Sequence, residues 1–239
     1  MEKSPEDEII ITTDDTLAML DDILEKRDFE WWDKFYSDRE KPIPFFKNIP
    51  DENLMSFCTS NMLKKGKALD IGCGNGRNSF YLSKQGYDVT GIDISNESIN
   101  WAQELSLQYE NKPIFQCQSL FEFKDEPKSF DLINDSGCFH HIKPHRRYDY
   151  FKSVLKYLKD DGYFSMTCFS LEGGANISDY DVYRGNSMQG GLGFSELKLR
   201  MILEIYFNII EFRRMKESSD PHVFGKDYLW VVLMSKKGS

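Results

Sequence analysis

Leu69-Asp70-Ile71-Gly72-Cys73-Gly74-Asn75-Gly76-Arg77 is the stretch that decides the fold. It joins a short apolar run, Ala68 to Ile71, that reads as a strand to a helical pattern from Asn78 to Gln85. Glycines here let the chain turn tightly and let a ligand approach the backbone, and the helix N-terminus beyond offers N–H groups to an anion. The spacing is Gly-x-Gly-x-Gly, where dinucleotide folds carry Gly-x-Gly-x-x-Gly. Asp70, two residues before the first glycine, would repel a pyrophosphate and suits an ammonium group. The loop therefore predicts an amino acid-like zwitterion as ligand. Asp93 ends the next apolar run, Asp88 to Ile92, and follows Gly72 by 21 residues, the distance at which an acidic residue chelates ribose hydroxyls. A nucleoside joins the zwitterion. The competing readings are an empty tight turn for the glycines and helix capping near Ser95 and Asn96 for Asp93.

Outward from this loop, short apolar runs alternate with helical patterns. Ile114 to Cys117, Phe130 to Ile133 and Tyr163 to Phe169 read as further strands, and Asn96 to Gln108 and Arg146 to Leu158 as helices, the last with Tyr148, Phe151, Leu155 and Leu158 in one stripe. This alternation predicts a parallel sheet covered on both faces, a three-layer α/β fold with ligands at the carboxyl ends of the strands. Phe207 to Phe212 and Tyr228 to Met234 are also strand-like, but no helical stripe lies between them. A parallel crossover needs one, so these two pair antiparallel. Before the loop, Leu17, Leu20 and Leu24, then Trp31 with Phe35 and Trp32 with Tyr36, recur at helical spacing, and a short helix follows around Asn53 to Leu63. Residues 1–62 read as a helical appendage or lid and 63–239 as the ligand-binding domain.

Composition narrows the class. Forty per cent hydrophobic and 29% charged residues among 239 exclude a disordered chain. The longest apolar run, Tyr228 to Met234, is far short of a bilayer span, and MEKSPEDEII has neither the basic nor the apolar part of a secretion signal. Five cysteines without a CxxC pair point to a reducing compartment, so a cytoplasmic protein is expected. The net charge of -9 is concentrated at the start: residues 1–30 carry 11 acids against 3 bases, and the other 28 acids and 27 bases nearly balance. A nucleic-acid partner is unsupported by charge but not excluded.

From Lys67 to Lys236 the sequence resembles the class I S-adenosylmethionine-dependent methyltransferases, on the strength of Asp70, the glycine loop and Asp93. The resemblance implies a Rossmann-like seven-stranded, mostly parallel sheet with an antiparallel last strand. It also implies S-adenosylmethionine as cofactor, with Asp70, Gly72 and Gly74 at the methionine end, Asp93 on the ribose and Ile94 packed on adenine. The family often places an Asp after the third strand; this chain has Cys117-Gln118-Ser119-Leu120, so Gln118 or Ser119 would meet the adenine, with Leu120 and Asp135 also expected in the cofactor site. The paired aromatic helix and the final hairpin look most similar to the thiopurine and tellurite-resistance-like group that acts on small molecules.

The fourth strand runs into Asn134-Asp135-Ser136-Gly137-Cys138-Phe139-His140-His141. Many enzymes that methylate base amines carry Asn-Pro-Pro-Tyr here, and the departure argues against nucleic acid. In the resembled fold this segment borders the methyl group, which makes Asp135, Ser136 and His140 candidates for the acceptor site and His140 or Asp135 the first base to consider. Metal binding by Cys138, His140 and His141 is disfavoured, because neighbours on an extended segment point apart and no second cluster completes the ligand set. The glycine-rich residues 170–194 form an acceptor loop in this reading, with Tyr183, Arg184 and Met188 as pocket candidates and Arg184 available to an anionic acceptor. Trp32 and Tyr36 are the expected cover over the cofactor. The expected activity is methyl transfer to a small molecule by in-line displacement. The alternatives are an RNA methyltransferase, a cofactor-binding regulator without turnover and, disfavoured by Asp70 and the glycine spacing, a nicotinamide-dependent dehydrogenase.

Overall fold

Period-two alternation sends successive side chains of a strand to opposite faces, and this chain is apolar on both. The computed structural model describes residues 9–24, 29–60 and 62–238. Its strands β1 (Lys67–Ile71), β2 (Asp88–Asp93), β3 (Ile114–Cys117), β4 (Phe130–Ser136), β5 (Leu158–Phe169), β6 (Phe207–Arg214) and β7 (Leu229–Lys236) form one sheet in the order β3-β2-β1-β4-β5-β7-β6. β1 to β5 pair in parallel, and β7 runs antiparallel to both β5 and β6. Along β7, Trp230, Val232 and Met234 enter one apolar cluster while Val231 and Leu233 enter the other. The sheet is therefore the middle of three layers.

The helices are α1 (Thr13–Ile23), α2 (Phe29–Ser37), α3 (Glu52–Thr59), α4 (Arg77–Lys84), α5 (Asn96–Ser106), α6 (Arg147–Tyr157), α7 (Asp179–Arg184) and α8 (Glu196–Leu203). One face of the sheet is covered by Tyr150, Phe151 and Val154 of α6 with Leu199 and Leu203 of α8. On the other, Leu54 and Phe57 of α3 and Leu82 of α4 pack together, beside a cluster of Phe80, Ile99, Ala102 and Phe115. Leu54 and Phe57 are fully buried, each burial stabilising by roughly 1.5–3 kcal/mol. α3 is thus bound into the sheet core, and the lid reading is kept for α1 and α2.

Two expectations need revision. The buried face of α6 is Arg147, Tyr150, Phe151, Val154 and Tyr157, whereas Tyr148 is 61% exposed. The stripe slipped because Leu158, which anchored it, is the first residue of β5 and not a helical one. The stretch 170–194 also contains α7, capped by the Ser178 side chain accepting from the Asp181 N–H. Its six residues are too few for a periodic pattern to stand out.

Candidate active site

The glycine loop turns between β1 and α4, where the strand order reverses from β2 on one side to β4 on the other. Gly72, Gly74 and Gly76 have φ of +63°, +55° and +86°, a left-handed conformation that side chains resist. Space is also denied: a Cβ on Gly72 would stand 2.9 Å from Cys138 Cβ, and one on Gly74 2.8 Å from the Tyr36 hydroxyl oxygen. Gly76 is the N-cap of α4 and supplies no side-chain cap. Asp70, 1% exposed, accepts from Ser79 Oγ at 2.6 Å and Asn134 Nδ2 at 2.8 Å. Burial outweighs these bonds and pushes its carboxyl up to about 6.

Asp93 accepts from the Gly74 N–H and the Ser95 N–H, each at 2.9 Å. It braces the glycine loop against the start of α5, so one side chain sets both. Burial raises its carboxyl, opposed by the bonds from Ser95 and Gly74. The α5 cap itself is Ser95, whose Oγ accepts from the Ser98 N–H at 3.1 Å. Ile94 is half-buried beside it. Gln118 donates its backbone N–H to Asp93 O at 2.8 Å and, with Ser119, stays half-exposed, whereas Leu120 is buried in the same apolar cluster as Leu24.

α2 lies across this corner. Asp33 accepts from Ser95 Oγ at 2.7 Å and from the Glu97 N–H at 3.2 Å, pinning α2 to the N-terminus of α5. Tyr36 is buried, and Trp32 meets His141 edge-on with ring centroids 5.0 Å apart. Behind it, Phe46 stacks on Tyr36 at 5.3 Å, and its carbonyl accepts from Asn75 Nδ2 at 2.7 Å. Asp33, Phe46 and Asn75 were not legible as site residues. Asn75 alone carried a signal, its place within the glycine loop.

On the β4 side the candidates separate. Both oxygens of Asp135 are occupied, one by the Tyr150 hydroxyl at 2.5 Å and the other by the Cys138 and Phe139 N–H groups at 2.8 and 3.3 Å. Burial pushes this carboxyl up to about 7 against those bonds. Ser136 donates to Asp51 Oδ2 at 2.5 Å and accepts from Arg77 Nη2 at 2.9 Å. Arg77 and Asp51 form a buried ion pair at 2.5 Å, which Asn78 joins through its own bonds to Asp51. Sequence reading passed over Asp51 and Arg77, although Arg77 directly follows the last glycine of the loop. His140 is buried flat on Phe169, centroids 3.7 Å apart, with Nδ1 accepting from the Phe169 N–H at 3.3 Å.

The loop candidates are not brought into this cluster. Tyr183 holds His145 through its hydroxyl, 2.7 Å from Nδ1; Met188 packs on the apolar cluster beneath. Arg184 is 73% exposed and pairs with its own helix neighbour Asp181. Among the described residues no group of three or more His, Cys, Asp or Glu could hold a metal ion, and no helix is long and apolar enough to cross a membrane.

Buried carboxylates at the ends of β1 and β2, a glycine-rich loop beside them and a phenolic hydroxyl above it fit a ligand with an ammonium at one end and vicinal hydroxyls further along. Comparison with known proteins agrees. Residues 68–162 match the methyltransferase domain family. An uncharacterized methyltransferase of Schizosaccharomyces pombe is 31% identical over 130 residues, 53% of this chain and 88% of that protein. The chain belongs to the class I S-adenosylmethionine-dependent methyltransferases. It is an enzyme, and S-adenosylmethionine is its cofactor. The fold extends the match beyond the domain. The 1,6-didemethyltoxoflavin N1-methyltransferase of Burkholderia thailandensis superimposes with a TM-score of 0.63 at 20% identity, over 96% of this chain and 92% of that one. A TehB-like methyltransferase of Corynebacterium glutamicum gives 0.57 at 22% identity, over 87% and 100%.

Proposed function

We propose that this methyltransferase acts on a small molecule by in-line displacement, with the acceptor held between the β4–α6 connection and the 170–194 segment. The observation that carries the reading is the roof. Tyr36 over Gly74 and Trp32 against His141 place α2 over the site, which favours an acceptor small enough to fit beneath it. The Burkholderia neighbour, crystallised with 1,6-didemethyltoxoflavin, supports an acceptor of that size.

S-adenosylmethionine, when bound, supplies a methyl group on a positively charged sulfur that an acceptor lone pair displaces as a neutral thioether. The chain's share is to bind, align and exclude water. Asp70 with Gly72 and Gly74 holds the methionine end, Asp93 the ribose hydroxyls, and Ile94 with Gln118 and Ser119 the adenine. Trp32 and Tyr36 close the site from above. Leu120 is left to the core. Ser136 and His140 face the acceptor in this reading, and Asp135 is a strut for the turn Cys138–Phe139 rather than a base. An imidazole that accepts at Nδ1 carries its proton on Nε2, so His140 is a donor here and not a proton acceptor. The acceptor class that follows is a nucleophile with its lone pair already available, such as a thiolate, a carboxylate or a neutral amine. Incubating the enzyme with radiolabelled S-adenosylmethionine and a metabolite extract tests this. Label in low-molecular-weight products supports it; label confined to RNA, or no transfer at all, refutes it.

A further inference from the structure

Lys143-Pro144-His145-Arg146-Arg147 is a concentrated run of cationic side chains that neither the cofactor site nor the acceptor floor uses. It sits where the β4 connection enters α6 and grips two peripheral helices at once. Toward α1, Asp21 accepts from Lys143 Nζ at 3.0 Å, from His145 Nε2 at 3.1 Å and from Arg146 Nε and Nη2 at 2.9 and 2.6 Å. Toward α7, Tyr183 Oη lies 2.7 Å from His145 Nδ1 and accepts from the His145 N–H at 3.1 Å. Arg147 holds Asp179 at the start of α7 by two bonds of 2.6 and 3.2 Å, with Lys198 on the same carboxylate at 2.9 Å.

Four features make this a coupling and not decoration. α1 buries no residue within Thr13–Ile23, and the Asp21 cluster, with Leu24 buried just behind it, ties it to the rest of the molecule. The bonds oppose the cost of burial and hold the Asp21 carboxyl well below its ordinary range, with His145, Arg146 and Lys143 as donors. His145 bridges both neighbours, with Nδ1 2.7 Å from the Tyr183 hydroxyl and Nε2 3.1 Å from Asp21 Oδ1. The same β4–α6 connection carries His141, which touches Trp32 of α2. One short segment therefore reads the position of α1, α2 and α7 together.

We propose that His145 is a positioning residue that makes the cofactor cover and the acceptor wall close as one body, by holding Asp21 of α1 on one ring nitrogen and Tyr183 of α7 on the other. This rests on the reading of α1–α2 as the cover and of 170–194 as the acceptor wall. Joint closure has a chemical use, because a site shut on one side only would leave water beside an electrophilic methyl group. Amide hydrogen exchange with and without S-adenosylhomocysteine tests it on the full chain, Asp21→Asn and Tyr183→Phe, both nearly isosteric and checked for folding by circular dichroism. In the unaltered enzyme, S-adenosylhomocysteine should protect 13–37 and 179–184 alike. In either variant, 29–37 should still respond, 179–184 should not, and affinity should fall roughly 5-fold, with the double variant no weaker than the singles. Protection of 179–184 in the variants equal to that in the unaltered enzyme overturns the coupling and leaves the proposed function intact. So does an unaltered enzyme that binds S-adenosylhomocysteine without any response at 179–184. Failure of the unaltered enzyme to bind S-adenosylhomocysteine overturns the cofactor reading and this proposal with it.

Discussion

The corner formed by β1, β2 and α2 and the wall formed by β4, β5 and α7 are built by different means. At the corner, nearly everything comes from one contiguous turn, Asp70 to Arg77, and from Asp93 across the neighbouring strand, joined by backbone N–H groups. At the wall, two side chains are held by partners far away in the chain: Ser136 by Asp51, 85 residues earlier, and His145 by Asp21, 124 residues earlier. A site made of backbone and short spacings tolerates little substitution. A site made of side chains tethered at long range can change its occupant by changing its tethers, which suits a fold whose cofactor is constant and whose acceptor differs.

Substitutions should separate the two regions, and the largest effect belongs to the corner. Gly74→Val places a branched side chain at φ +55° against the Tyr36 hydroxyl. S-adenosylhomocysteine binding should be lost in calorimetry, beyond about 100-fold, while circular dichroism still reports a folded chain. Global unfolding instead would make the loop a purely structural turn. Next comes Asp93→Asn, which keeps the shape but removes a charged acceptor from the ribose. Binding should weaken by about 1 to 2 kcal/mol, and unchanged affinity would move the ribose elsewhere.

Two buried carboxyls, Asp135 at the wall and Asp70 at the corner, should answer to pH. Asp135, pushed up to about 7 by burial, and Asp70, pushed up to about 6, both lie above the ordinary value of 3.8. The folded chain therefore keeps protons that the unfolded chain releases, so this stabilisation is complete below about pH 4 and is lost as pH rises to about 7. Without cofactor, the melting temperature should fall across that window. Asp135→Asn should flatten the fall while leaving S-adenosylhomocysteine affinity within about 3-fold; an unchanged slope would mean that Asp135 is ionised when folded. The smallest effect is expected at Arg184→Ala, since that side chain is 73% exposed and meets its own helix neighbours Asp181 and Tyr180. Stability and affinity should both stay within about 0.5 kcal/mol, and a marked drop in turnover would restore Arg184 to the acceptor site.

The contrast also explains what could be read from the sequence. The sheet was legible because each strand is a short apolar run bounded by turn residues, and the antiparallel ending because the residues between β6 and β7 have no helical stripe. Asp70, Asp93, Gly72 and Gly74 could be picked out as candidates because the pattern that singles them out is one of spacing along the chain. Asp33, Asp51 and Asp21 were not, since an acidic residue in an acidic segment looks like any solvated charge until folding brings Ser95, Arg77 or His145 to it. Asp135 reads as a candidate base because sequence shows a carboxylate at the end of β4 but not the Tyr150 hydroxyl that bonds it. Arg184 was chosen for its charge, and helix α7 turns it outward.

The central claim is that the cofactor is held at the β1–β2 corner under α2, and a crystal structure of the S-adenosylhomocysteine complex tests it most directly. The account expects the ribose hydroxyls within hydrogen-bonding distance of the Asp93 carboxylate, the amino group on the Asp70 side of the glycine loop, and Tyr36 still above Gly74. A complex with the ribose away from Asp93, or with α2 displaced and the ligand open to solvent, would contradict it.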